Sequence, residues 1–201
     1  MSQPALSAEI LSRREAIIRV SALFGGSIVG SSALLSGCAS PDARPVSELL
    51  SVSDIALLDE IADTILPETS SPGAKAAEVG AFISTMVADT YTAEERSIFL
   101  NGLDAIEDEC LADYGSDFMA ASNGQRTRLL TRLDQEQHSY MASRTADMPV
   151  HYFRMLKELT LTGYFTSEIG YTQAMRYVES PGRFDPCVPY SPGDRAWAPH
   201  A

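Results

Sequence analysis

His138, His151 and His200 are the only histidines of the chain, and none has the neighbours that imidazole chemistry needs. Glu136 and His138 stand two apart, so on a helix they diverge, whereas a di-iron bundle site uses Glu and His at i and i+3. This spacing predicts solvated or packed histidines, not metal ligands. Asp104, Glu107, Asp108 and Glu109 look like paired carboxylates for acid–base work. A charge run on an amphipathic helix is ordinarily its wet face, however. No serine lies in Gly-x-Ser-x-Gly, and no His/Asp pair can be assigned to any of them. No glycine-rich dinucleotide fingerprint follows a strand, so no flavin or nicotinamide site is expected in this chain. Cys-x-x-Cys-His is absent, which excludes ordinary attachment of c-type haem. The expectation is a binding or structural module with no catalytic residue, cofactor or metal of its own.

The most specific chemistry belongs to the first 38 residues. Ser12-Arg13-Arg14-Glu15-Ala16-Ile17-Ile18 resembles a twin-arginine export signal, and Leu35-Ser36-Gly37-Cys38 resembles the lipobox at which bacterial lipoproteins are lipidated and cleaved. Between them, Val20 to Leu35 is an apolar run diluted by Gly25, Gly26, Gly30 and several serines. Basic segment, short apolar segment and small residues before a cleavage point are the layout of a signal peptide. The competing reading is an uncleaved anchor helix, but crossing the hydrocarbon core takes roughly 20 mostly apolar residues, and this run is shorter and less apolar. Residues 1–37 are therefore read as signal peptide, with Cys38 as the mature N-terminus. One fatty chain holds a protein only marginally, so stable anchoring takes more than one. Lipoproteins of the kind this signal resembles carry a diacylglycerol and usually a third acyl chain. The expected location is the periplasmic face of a membrane, reached by a route that carries proteins already folded.

Residues 1–37 hold three basic and two acidic residues; without them 12 basic and 25 acidic residues remain, a net charge of −13. Such a surface argues against nucleic acid, which needs lysine and arginine to displace counterions, and against polybasic adhesion to anionic lipid. About 160 residues suffice for one domain with a real core. With Cys38 lipidated, Cys110 and Cys187 remain in an oxidising compartment. They pair with each other, stay free, or bond another chain; the spacing does not choose.

The elements that must position any site are helices. Residues 38–47 are short, polar and proline-punctuated, as a tether should be, and the domain is assigned to 48–201. Ile55, Leu58, Ile61, Ala62 and Ile65 form one stripe, with Ser51 or Ser53 placed to cap it and Pro67 to stop it. Glu68 to Ala76 is a loop. A second helix over Glu78 to Asp89 buries Val79, Phe82, Ile83, Met86 and Val87. Thr92-Ala93-Glu94-Glu95 reads as a capping box for a third, which turns Ile98, Phe99, Leu103, Ile106 and Leu111 inward and breaks at Tyr114-Gly115. A fourth follows Asn123 with Leu129, Leu130 and Leu133 inward; a fifth begins near Pro149 with Tyr152, Phe153, Leu156 and Leu159. Thr166 or Ser167 caps a last short helix holding Ile169, Met175 and Val178. Beyond Ser180, proline and glycine recur too often for a helix. The fold class is all-α: a compact bundle of about six helices with a long irregular C-terminal arm. Phe184, Tyr190 and Trp197 argue that the arm packs, on its own helices or on a partner, and Cys187 between Pro186 and Pro189 is the cysteine better placed to bond another chain.

Two stretches carry a family resemblance. Ala62-Asp63-Thr64-Ile65-Leu66-Pro67-Glu68-Thr69-Ser70-Ser71-Pro72-Gly73-Ala74 leads to Val79-Gly80-Ala81-Phe82-Ile83. Leu161-Thr162-Gly163-Tyr164-Phe165-Thr166-Ser167-Glu168-Ile169-Gly170 leads to Pro181-Gly182-Arg183-Phe184-Asp185-Pro186-Cys187. Together they resemble the gluconate 2-dehydrogenase subunit 3 family, over roughly Leu49 to Trp197. The resemblance implies a non-catalytic accessory subunit. Its partner would be a large FAD-binding dehydrogenase subunit of the glucose–methanol–choline type that oxidises a sugar or polyol, with a cytochrome c subunit often taking the electrons. It implies FAD in that partner and none here. It also implies that the small subunit carries the export signal and escorts the flavoprotein. A lipobox is not a necessary part of the family's pattern, so Cys38 adds membrane anchoring. The rival expectation is a free-standing lipoprotein that binds a ligand or a cell-envelope component.

Overall fold

Ser51 sets the first helix. Its side chain accepts from the Asp54 amide at 3.2 Å, and the Asp54 carboxylate accepts from the Ser51 amide at 2.8 Å, a reciprocal cap that satisfies two otherwise unpaired donors. In the computed structural model of the chain, which describes residues 49–180, 182–183 and 186–198, α1 spans Val52–Ile65. Leu66 ends it, one residue before Pro67. The loop that follows closes in a single 3-10 turn, Lys75–Ala77, and α2 spans Val79–Thr90. The Thr92–Glu95 box opens α3, Ala93–Tyr114, with reciprocal bonds of 3.3 and 2.8 Å. Gly115 closes it at φ 70°, a left-handed conformation that glycine adopts without steric cost.

α4 spans Asn123–Ser143, opened by Ser122, whose amide donates to Gln125 at 2.8 Å. α5 spans Tyr152–Thr166. It begins three residues after Pro149, because the His151 ring caps it, accepting from the Phe153 amide at 3.2 Å. A π-helical turn, Gly170–Ala174, makes the sixth helix among the described residues. No strand occurs among them; Arg176 and Trp197 form one isolated bridge. No helix there is long and apolar enough to cross a membrane.

α5 is the hub and packs on α1, α2, α3, α4 and the π turn. Leu58, Ile61, Ile83, Ile106 and Leu129 of the neighbouring helices are buried with its own Leu156, each worth about 1.5–3 kcal/mol relative to exposure. Gly163 lets α2 come close, since a Cβ there would stand 2.6 Å from the Phe82 ring. One buried cation ties distant pieces together. Arg126 of α4 donates from Nε to the Phe118 carbonyl at 2.8 Å and from Nη2 to the Met119 carbonyl at 2.6 Å, and pairs through Nη1 with Glu60 of α1. Glu60 also takes Lys75 Nζ at 2.6 Å.

Two inward assignments are overturned. Leu111 is 57% exposed, and Cys110 fills the core instead. Phe99, Leu103, Ile106 and Cys110 step by four and three, which keeps one face; Leu111 lies a further 100° round. Val178 is 48% exposed because the chain leaves the helix at Met175, which is buried.

Candidate partner-binding face

The two stretches that carry the family resemblance meet in space. Tyr164 of α5, nearly wholly buried, donates its hydroxyl to the Pro72 carbonyl at 2.6 Å. From the other side, α1 holds the same loop with a row of carboxylates. Asp63 accepts from the Lys75 amide at 3.3 Å, Asp59 from the Gly80 amide at 2.7 Å, and Glu60 grips the Lys75 ammonium. Burial raises the Asp59 carboxyl above its ordinary range, the Gly80 bond only partly opposing it. Glu60 is lowered, chiefly by the Lys75 hydrogen bond. These residues brace α1, α2 and α5 against one another; they position a surface and do not themselves form one.

That surface begins where α5 ends. Ser167 accepts from the Gly170 amide at 3.0 Å and donates to the Tyr164 carbonyl at 2.7 Å. Gly170 sits against that carbonyl, where a Cβ would not fit, and the chain turns through the π segment. At Arg176 the arm is clipped to its own end. The Arg176 amide donates to the Ala196 carbonyl at 2.8 Å and the Ala198 amide to the Arg176 carbonyl at 2.9 Å. The guanidinium lies 4.6 Å from the Trp197 ring centroid, a cation–π contact. The arm is thus a closed loop fastened at its root.

Exposed apolar side chains gather on this part of the chain. Of ten large ones among the described residues, seven lie from Leu161 onward: Leu161, Phe165, Tyr177, Val178, Val188, Tyr190 and Trp197. Leu161 and Phe165 are exposed one turn apart on α5, and Thr166, Glu168, Tyr171 and Tyr177 line a recess of 320 Å³ where α5 ends. Seven exposed apolar side chains within one stretch of chain make it the candidate for an interaction surface. Tyr190 is 70% exposed, Trp197 is half-exposed with Arg176 on one face, and Cys187 is an exposed free thiol. Cys110 is buried and free, so the two do not bond each other. Phe184 lies outside the described residues, as do Arg13, Arg14, Cys38 and His200.

The other candidates resolve into structural roles. Glu107 accepts from the Phe118 amide at 3.0 Å and Glu109 pairs with Arg132 at 2.8 Å, while Asp104 and Asp108 stay in solvent. His138 is exposed, 3.8 Å from Asp134. Among the described residues no group of three or more His, Cys, Asp or Glu is placed to hold a metal ion. Leu161 and Phe165 were not singled out from sequence. Their signal was there: both fall off the Phe153, Leu156, Thr160, Gly163 stripe of their helix.

His151 carries a pH prediction. Its ring stacks on Tyr152 and meets Tyr140 edge-on. Burial lowers its pKa below the ordinary 6.5, with Glu136 and Glu109 opposing. The cap needs an unprotonated Nδ1 to accept from Phe153. The neutral folded form is therefore stabilising above the unfolded value near 6.5, and that contribution is lost as pH falls toward the folded value. The melting temperature is expected to fall between pH 7 and pH 5, and His151→Asn, which can still cap, to flatten that slope.

The family model described as gluconate 2-dehydrogenase subunit 3 matches residues 53–182, from the start of α1 to the root of the arm. No curated protein and no solved structure matches the chain. The match spans well over half of the 201 residues and contains both the braced loop and the end of α5. The chain belongs to the gluconate 2-dehydrogenase subunit 3 family.

Proposed function

We propose that this chain is the non-catalytic small subunit of an exported FAD-dependent sugar or polyol dehydrogenase. It acts as export escort, stabiliser and lipid-mediated membrane anchor. The family name makes it a subunit of a dehydrogenase complex; the finer roles are our reading. The observation that carries it is the run of exposed apolar side chains from Leu161 to Trp197, a surface for a second polypeptide. The large flavoprotein subunit of the glucose–methanol–choline type docks there, beside Tyr190, Cys187 and Trp197. FAD belongs to that subunit, and a cytochrome c subunit takes the electrons onward. Residues 1–37 direct export, 38–47 form the tether, and lipidated Cys38 holds the assembly at the periplasmic face of a membrane. Exposed Cys187 is the residue for an intersubunit bond.

The test is affinity purification of a C-terminally tagged chain from native membranes in mild detergent. The expected product is yellow, contains a large second chain, and gives a small-subunit mass that starts at a lipid-modified Cys38. Non-reducing electrophoresis is expected to shift both chains together, and Cys187→Ser to abolish the shift. A colourless single chain overturns the subunit reading in favour of a solitary lipoprotein.

A further inference from the structure

A second surface lies between the start of α3 and the connection that leads into α5. It is an open groove of 440 Å³. Tyr91, Ile98, Met148, Val150 and Met155 supply its apolar floor, and two methionines give a floor that adapts to what lies on it. Its rim carries four carboxylates, Glu94, Glu95, Asp147 and Glu158, against one guanidinium, Arg144. That guanidinium is already engaged, donating to the Met148 and Pro149 carbonyls at 2.8 and 3.1 Å. Glu95 is held by Thr92 and Glu158 by Arg154. The Glu94 side chain makes no hydrogen bond or ion pair among the described residues.

An apolar floor under an anionic rim selects a side chain that is apolar along its stem and cationic at its tip, as lysine and arginine are. It disfavours an acidic or purely apolar occupant, which would leave the rim charges facing like charge or desolvated without a partner. With a chain carrying −12 overall, the same field steers a basic segment toward the groove.

We infer that this groove seats an extended lysine- or arginine-bearing segment of the flavoprotein subunit, as a docking site separate from the aromatic arm. The inference rests on the proposed function. It makes the small subunit a two-point clamp, apolar at the arm and electrostatic at the groove. The assignment is tested in the native complex with a photo-crosslinking amino acid in place of Met148. The expected adduct joins the flavoprotein at a peptide containing lysine or arginine. Combining Glu94→Lys with Glu158→Lys is expected to lower its yield about tenfold, and Glu94→Gln with Glu158→Gln to lower it less, because like charge across a contact costs more than lost attraction. Both glutamates are exposed, and losing the exposed Glu158–Arg154 pair costs α5 little, so the fold tolerates the changes. A yellow complex with no adduct, an adduct to a second copy of this chain, an adduct at a segment without basic residues, or a yield indifferent to charge reversal overturns the groove assignment alone. A parent preparation without flavoprotein overturns the subunit reading and this inference together.

Discussion

Lysine at both Arg13 and Arg14 is expected to strand this chain and its flavoprotein in the cytoplasm, with the exported fraction of each falling to background. The substitution keeps both positive charges and removes only the planar, bidentate fork of guanidinium. A route that merely needed a basic segment would tolerate it; recognition of two adjacent arginines does not. The proposed escort mechanism adds a stronger demand, since a protein with no signal of its own must be lost from the exported fraction in proportion to its carrier. The retained flavoprotein is expected to be folded and active in lysates, because assembly precedes export in the proposed mechanism. Fractionation with flavin absorbance and dehydrogenase activity as readouts checks both points. Normal export of the flavoprotein in the lysine variant would sink the escort role and leave the family assignment untouched.

The second large effect concerns stability. Arg126→Met is expected to destabilise the domain by about 3–5 kcal/mol, the cost of breaking a buried pair by removing one partner. Methionine fills much of the volume but leaves the Phe118 and Met119 carbonyls without their donors and Glu60 with Lys75 alone. Arg126→Lys is expected to recover little, since one ammonium cannot serve two carbonyls and a carboxylate from the geometry of a planar fork. The midpoint of urea unfolding measures this, with an unchanged slope showing that the compactness of the end states is the same. Because Glu60 is lowered first by Lys75 and also by Arg126, its contribution is present above the ordinary glutamate range and lost as pH falls through its folded value. The parent should lose stability in acid more steeply than the Arg126 variant. An Arg126→Met protein as stable as the parent would show that the buried cation contributes nothing net.

The sequence and the structure agree where the controlling interactions are local. Ser51 with Asp54, and Thr92 with Glu95, act over three residues, so their helix starts are legible from type and spacing alone. Pro67 and Gly115 end helices through their own backbone restrictions, which need no tertiary partner. A cysteine beside Leu111 on a helix reads as a buried thiol, and Cys110 is one. Placing Leu111 inward as well fails, because the two differ by about 100° and the face of Phe99, Leu103 and Ile106 continues at Cys110. The start of α5 is legible only as near Pro149, a good first-turn residue, because the cap itself is a histidine nitrogen, at His151.

The sequence by itself determined the all-helical class, the order and rough bounds of the helices, the position of the arm and the family, because periodicity, caps and breakers act within one turn. Only the tertiary structure decided that Arg126 is a buried tie to Glu60, 66 residues away, and that Tyr164 closes on Pro72 across 92. The return of the arm onto Arg176 was decided there too. A polar or aromatic residue shows in sequence only what it can bond or bury. Which partner it meets depends on how the helices pack, and that packing is settled by the core as a whole.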